Sequence, residues 1–288
     1  MKKILVTGGA GFIGTNLIKR LLAEGYEVIS LDNYSTGKEE NEQKGCTYIR
    51  IDINQIKSES NIANSIELFQ DIDVIFHMAA LARIQPSLIR PQESIDANFN
   101  GTLNILEAAR KYNIPVIYAG SSSFHHGLYE SAYAWSKHAG EQLCKLYSNI
   151  YGLSTAICRF YNVYGSHQLE EGEYATVLGI FEKQLRNKKP LTITGTGEQR
   201  RDFTHVDDIV DGLYRCMGKD LRAEIFELGR GKNFSINEIV DLFEAERKYI
   251  PARKGEYPTT LCDTSKAKEK LGWKPTKNLE NYIKEIIK

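Results

Sequence analysis

A glycine-rich turn near the start of the chain sets the narrowest limit on its fold. Gly8-Gly9-Ala10-Gly11-Phe12-Ile13-Gly14 follows a short strand-like run, Lys3-Ile4-Leu5-Val6-Thr7, and opens an amphipathic helical stretch over 14–22. In a strand–turn–helix unit each glycine has a task. Gly8 permits the tight turn, Gly11 lets the backbone approach a pyrophosphate, and Gly14 allows close packing of helix on sheet. The free N–H groups of the helix start, with Phe12 and Ile13 in the first turn, would face that anion. The next strand-like run ends in Asp32-Asn33. A carboxylate there accepts hydrogen bonds from a ribose 2′-OH and repels a 2′-phosphate, which favours NAD over NADP.

The rest of the first half repeats the same alternation. Strands are expected at 27–31, 48–51, 73–77, 116–120 and 154–160, with helices over 95–112 and 133–151. Strand and helix in alternation imply a parallel sheet covered on both faces, a doubly wound α/β fold. The rhythm changes after Gly165. A polar loop over 166–174 precedes a helix at 176–187, a strand at 191–194 and the turn Gly195-Thr196-Gly197. Ser235-x-x-Glu238 fits a capping box, and Pro251, Pro258 and Pro275 punctuate short helices near the end. The expected division is a cofactor-binding domain over 1–165, completed by about 204–228. A smaller substrate-binding α/β part comprises 166–203 and 229–288.

Charge and cysteine usage narrow the partners. Lys plus Arg and Asp plus Glu both number 37, so the chain lacks the basic surplus that phosphate-backbone binding requires, and no nucleic-acid partner is expected. No apolar run approaches the ~18 residues that span a bilayer, so no membrane association is expected either. The positive start Met1-Lys2-Lys3 suits a signal peptide, but Gly8-Gly9 breaks the apolar stretch after three residues. The five cysteines (46, 144, 158, 216 and 262) are widely spaced, without C-x-x-C. That spacing speaks against a disulfide framework or a zinc site and for a reducing, cytoplasmic setting with no metal.

Tyr133-Ala134-Trp135-Ser136-Lys137 opens the expected helix over 133–151. A spacing of four puts Tyr133 and Lys137 on one face, one turn apart. A phenol ordinarily titrates near ~10 and needs help to act as a base; a neighbouring ammonium and an oxidised nicotinamide both favour phenolate.

With these features the chain resembles the extended short-chain dehydrogenase/reductase family and, within it, the NAD-dependent nucleotide-sugar 4-epimerases. The likeness runs over nearly the whole chain. It takes in Thr7 to Gly14, Asp52-Ile53, His77-Met78-Ala79-Ala80, Asn98, Gly101 to Ala109, Ser121-Ser122-Ser123, the Tyr133/Lys137 pair and Arg159 to Gly165. Further on it includes Arg201 to Asp208, Arg253-x-Gly255-Glu256 and Leu271-Gly272-Trp273-Lys274-Pro275. The resemblance implies a Rossmann-type sheet and these roles. NAD would be held by Gly8, Gly11, Phe12, Ile13, Gly14, Asp32, Asn33, Asp52, Ile53, Ala79, Ala80, Asn98, Ser121 and Tyr161, together with Tyr133 and Lys137. Ser122 would bond the sugar O4, Tyr133 would take its proton, and Lys137 would hold the nicotinamide ribose and lower the tyrosine pKa. Asn162, Arg201, Arg253 and Glu256 would bind the nucleoside diphosphate of the substrate, a UDP-sugar by preference; arginine suits phosphate because its donors meet oxygens in pairs.

Dehydratases and decarboxylases resembling this chain carry a carboxylate two places after the Ser122 position. Here that residue is Phe124, which cannot transfer a proton, and simple epimerisation needs no such group. The expected activity is therefore C4 epimerisation of a UDP-hexose or its N-acetyl form through a 4-keto intermediate. A 4-ketoreductase, a dehydratase and a catalytically silent NAD-binding regulator are the alternatives. The chain departs from its relatives at His125-His126, in the short spacing between Ser123 and Tyr133, and at Glu256, where Asp is usual. The resemblance also implies supply of polysaccharide precursors and a two-fold homodimer through the helices around 98–112 and 134–150, with Leu103, Ile105, Leu106, Leu143, Leu146 and Tyr147 as apolar surface for a core or a contact.

Overall fold

The structure, a computed structural model, describes residues 2–56, 66–255 and 257–288. In chain order the strands are β1 (Lys3–Thr7), β2 (Glu27–Asp32), β3 (Cys46–Arg50), β4 (Val74–His77), β5 (Val116–Ser121), β6 (Thr155–Phe160), β7 (Val163–Tyr164), β8 (Leu191–Thr194), β9 (Arg200–Asp202), β10 (Thr204–His205), β11 (Glu224–Leu228), β12 (Asn233–Ser235) and β13 (Arg247–Ile250). The α-helices are α1 (Phe12–Ala23), α2 (Ile84–Ile89), α3 (Pro91–Ile95), α4 (Gly101–Tyr112), α5 (Ala132–Tyr151), α6 (Val177–Arg186), α7 (Val206–Cys216), α8 (Ile236–Leu242), α9 (Ser265–Leu271) and α10 (Leu279–Ile286).

Seven strands form one parallel sheet in the order β11-β6-β5-β4-β1-β2-β3. The chain winds outward from β1 to β3 and then crosses back to β4 on the other side of β1. The segments leaving β1 and β4 therefore part at the carboxyl edge and leave a crevice between them. Both faces of the sheet are covered, and β1 shows why its apolar residues run without a break. Ile4 and Val6 pack with Leu17, Ile18, Leu213 and Trp273 on one face, while Leu5 packs with Ile75, Leu106 and Ile157 on the other. The Trp273 indole N–H donates to the Asp208 carbonyl at 2.8 Å, and the Asp208 carboxylate accepts from the amides of Thr276 and Lys277 at 2.9 and 3.0 Å. The Leu-Gly-Trp-Lys-Pro segment is thus clamped to α7 beneath the sheet.

A separate core holds the smaller part together: Phe181, Leu191, Ile193, Ile239, Phe243 and Ile283 are buried among α6, α8, α10 and the β8/β13 pair. The expected capping box is present at Ser235 and Glu238, with both reciprocal bonds made.

The helix expected over 95–112 is interrupted. Residues Asp96–Asn100 form a π-helical turn between α3 and α4. Its cause is long-range: the buried Asn98 carboxamide is drawn to the Leu81 backbone and to Ser136. On the helices considered for a dimer contact, Ile105, Leu106 and Tyr147 belong to the core, whereas Leu146 and Ile150 are exposed. All five cysteines are free thiols. Among the described residues no helix is long and apolar enough to cross a membrane.

Candidate active site

The crevice between β1 and β4 opens into a cavity of about 1160 Å3, more than one small ligand needs. Gly8, Gly11, Phe12, Ile13, Gly14, Asp32, Asn33, Asp52, Ile53, Ala79 and Ala80 line its first half. The glycines are required by space. Gly8 has φ +70°, and a Cβ there would lie 2.8 Å from the Ala79 backbone, so β1 and β4 meet directly beneath the turn. A Cβ on Gly14 would overlap the Gly8 carbonyl oxygen. The Asp32 carboxylate is aimed by two amides, Ala10 at 2.9 Å and Tyr34 at 2.8 Å. Burial raises its pKa, and the same two amides and Arg50 pull against that shift. Each oxygen keeps a lone pair for a ribose hydroxyl. Asn33 donates to Asp52 at 2.9 Å, and Asp52 caps the turn at Ile53 through the Asn54 amide. A backbone cradle with no room for a Cβ at Gly8 or Gly14, followed by an oriented carboxylate, fits an adenosine diphosphate ribosyl group.

The second half of the cavity is lined by Ser121, Ser122, Tyr133, Lys137, Asn162, Arg201 and Arg253. Ser131 caps α5 by accepting from the Ala134 amide, which fixes Tyr133 in the first turn with Lys137 one turn on. The Tyr133 hydroxyl donates to Ser121 Oγ at 3.1 Å. Its nearest serine is therefore Ser121, while Ser122 stands half-buried beside it on the cavity wall. Burial pushes the Tyr133 phenol above its ordinary value; the Ser121 hydrogen bond and the Arg83 guanidinium oppose that shift. Lys137 is almost wholly buried, with Nζ 4.4 Å from the centre of the Tyr118 ring. Desolvation pushes its ammonium down to about 8, against the pull of Glu141.

Two residues expected on the cofactor are placed elsewhere. Asn98 is fully buried and spends its carboxamide on the Leu81 amide and carbonyl and on Ser136 Oγ, at 2.8, 3.1 and 3.1 Å. It shapes the Ala79-Ala80-Leu81 wall from behind. Tyr161 is 2 % exposed and lies outside the lining, its ring 6.5 Å from that of His125; the neighbouring Phe160 faces the cavity instead. Asn162, at φ +28°, ties the site to the smaller part through the Asp202 carbonyl and Thr260 Oγ1. Arg201 donates to the Tyr257 carbonyl at 2.7 Å. Glu256 lies outside the described residues.

Phe124 is turned away from the cavity. The Arg159 guanidinium lies 3.7 Å from its ring centre and is held by Glu141 on two nitrogens (2.9 and 2.6 Å) and by Glu227 at 3.0 Å. His125 and His126 go separate ways: His125 bonds Glu227 at 2.9 Å, and His126 stacks on Tyr257 at 4.4 Å. Burial, with His125 and Arg201 beside it, presses His126 down to about 4. Among the described residues no group of three or more His, Cys, Asp or Glu could hold a metal ion. Arg83 and Tyr257 also line the cavity and were not singled out by their sequence; Arg83 sits in the apolar stretch after β4, where no motif marks it.

A glycine cradle at the switch point, with a buried tyrosine and lysine on one helix beside it, is the geometry of a dinucleotide-dependent enzyme. The chain belongs to the NAD dependent epimerase/dehydratase family, whose model matches residues 4–229, and NAD is the cofactor. It is 36% identical to the putative UDP-glucose 4-epimerase of Methanocaldococcus jannaschii, over 99% of this chain and 97% of that one. It is 34% identical to a UDP-glucuronate 4-epimerase of Thermodesulfobacterium geofontis, over 98% and 94%. The UDP-glucose 4-epimerase of Thermotoga maritima, solved with UDP-glucose, superposes with a TM-score of 0.91 at 31% identity, over 99% and 97%.

Proposed function

We propose that this protein epimerises a UDP-linked hexose at C4, with NAD as a retained cofactor. The observation that carries the reading is Phe124. The position where related dehydratases place an acid is filled by a ring under Arg159, while Ser122, Tyr133 and Lys137 stand together on the cavity wall. Tyr133 Oη takes the proton from the sugar O4 and later returns it to the same oxygen, so one phenol serves both half-reactions. NAD, held along Gly8, Gly11, Asp32 and Lys137, would supply the hydride acceptor and donor for C4. Ser121 and Ser122 orient the Tyr133 hydroxyl and the sugar oxygen, and Lys137 holds the nicotinamide ribose while its charge favours phenolate. Asn162, Arg201 and Arg253 grip the nucleoside diphosphate and leave the sugar free to turn its other face to the nicotinamide. A homodimer through α4 and α5 is part of this reading, supported by the exposed Leu146 and Ile150; a monomeric mass by light scattering would remove that part.

Proton NMR of the purified protein with NAD and a panel of UDP-sugars tests the reading. Interconversion of a C4 pair without accumulation of NADH is the expected result. Net NADH turnover would make the protein a ketoreductase, and loss of water from the product a dehydratase. A chain that binds NAD but converts nothing would be the silent alternative.

A further inference from the structure

Most charged residues at the cavity have a partner. Arg90 is paired with Glu93 and Glu173, Asp52 is held by Asn33, and Asp96 by Asn100. Arg83 is different. It enters the cavity from the connection between β4 and α2, and its Nε donates to the Ala175 carbonyl at 3.3 Å, which stretches the side chain across to the segment before α6. Among the described residues its two Nη groups meet no acceptor, and no carboxylate pairs with it. Among the described residues the acids that line the cavity are Asp32, Asp52, Glu93, Asp96 and Glu173, and position 124 holds a phenylalanine. Among the described residues the cavity therefore carries at Arg83 a guanidinium with a free two-pronged face and no paired carboxylate.

We infer that Arg83 is a specificity-determining residue that takes an anionic group on the sugar, and that the substrate is a UDP-linked hexuronic acid. This rests on the C4-epimerase reading. If Tyr133 serves O4, the substituents flanking that oxygen are the C3 hydroxyl and C6. Of these only C6 can carry an ionised group, a carboxylate, and a planar guanidinium meets a carboxylate through two parallel hydrogen bonds. A neutral sugar would close the site over an unpaired guanidinium, leaving its desolvation uncompensated. A diphosphate is the other anion that could reach the same donors, and it is common to every UDP-sugar, so it would confer no preference among sugars.

The test compares kcat/KM for UDP-glucuronate and UDP-galacturonate with that for UDP-glucose and UDP-galactose, in the wild-type protein and in Arg83→Gln and Arg83→Lys. The uronates are expected to be preferred, and Arg83→Gln is expected to reduce the uronate-to-neutral ratio by about ten- to a hundredfold, the worth of a charge-assisted pair. Arg83→Lys should recover part of that ratio. A wild-type preference for neutral hexoses overturns the inference and leaves the epimerase reading standing. An equal loss on both classes in Arg83→Gln also overturns it, and points to the diphosphate or to a purely structural role. If no sugar is interconverted, the epimerase reading fails by itself. Calorimetric affinities for UDP-glucuronate against UDP-glucose, with and without Arg83→Gln, then decide the role of Arg83 alone: an Arg83-dependent preference supports it, and equal affinities refute it.

Discussion

His77 ends β4 directly under the cofactor crevice, and its protonation should set how far the fold tolerates acid. The imidazole is 1 % exposed, with Nδ1 2.7 Å from Thr7 Oγ1 and Nε2 2.9 Å from Thr102 Oγ1. The neighbours fix the tautomer. The Thr102 hydroxyl already donates to the Asn98 carbonyl at 2.7 Å, so its oxygen accepts from His77 Nε2–H. The Thr7 oxygen accepts the Ala79 amide at 3.1 Å and has its proton left to give to Nδ1. Both ring nitrogens are satisfied only in the neutral form. Burial, reinforced by the Lys137 charge, lowers the pKa from 6.5 to about 3. The folded state thus resists a proton that the unfolded chain accepts. Stability is complete above the unfolded value of 6.5 and is lost as pH falls from there toward about 3. Working from those two values, His77 alone removes about 2 kcal/mol by about pH 5 and roughly 1.4 kcal/mol for each pH unit below that. Urea unfolding near pH 7.5 and near pH 5, in wild type and in His77→Gln, isolates the effect from the other titrating groups. The variant should start about 1–3 kcal/mol less stable because a buried hydroxyl loses its partner. Its further loss on acidification should be smaller than that of the wild type by about 2 kcal/mol. Parallel losses in the two proteins would refute the neutral, two-threonine arrangement. Because Thr7 precedes Gly8 and bonds Ala79, release of NAD should accompany the same acid transition.

Three further outcomes follow from the site. Gly14→Ala places a methyl group against the Gly8 carbonyl and should cost about 1–3 kcal/mol and most of the retained NAD, read from the melting temperature and the ultraviolet spectrum of the purified protein. Tyr133→Phe should lower kcat by about 10²–10⁴-fold while cofactor affinity by fluorescence titration stays within a few-fold; unchanged turnover would remove Tyr133 from proton transfer. Phe124→Leu strips the ring from the Arg159 guanidinium and should lower the urea midpoint by the equivalent of about 0.5–2 kcal/mol, with no measurable loss meaning that the stacking is incidental.

The parts of the site that could be read from the sequence are those whose geometry is local. The turn from β1 to α1 needs glycines within seven residues, and Tyr133 and Lys137 share one turn of α5, so spacing was informative once read with the strand before the turn and the helix after it. Residues placed by distant partners were not legible. The π turn at Asp96–Asn100 exists because Asn98 bonds Leu81, 17 positions away, and Ser136, 38 away. Tyr161 lies inside a motif, yet it packs toward His125 rather than facing the cavity, because the extended chain sends alternate side chains to opposite sides and Phe160 takes the inward place. Arg83 stood alone among apolar residues, where sequence offers no reason to look, and its importance appears only once Ala175 and Tyr133 are brought beside it.

The charge distribution of the cavity then links cofactor choice to substrate choice. At one end Asp32 holds a fixed carboxylate, braced by two amides, where the proposed reading puts the adenosine ribose of NAD. At the other, Arg83 and Lys137 border Tyr133, while Glu141, which also pulls on Lys137, and Glu227 hold Arg159 beneath the floor, and Arg159 in turn supports Phe124. That arrangement lets Arg83 favour phenolate on Tyr133, against the burial that raises the phenol above its ordinary value. It also opposes a second acid–base group at position 124. A carboxylate there would stand against Arg159, already engaged by two others, and would be drawn into that network instead of reaching the sugar. Installing Phe124→Glu should therefore fail to create dehydratase activity on its own. Formation of a 4-keto-6-deoxy sugar by that single variant would show that the Arg159 network does not govern the chemistry of the site.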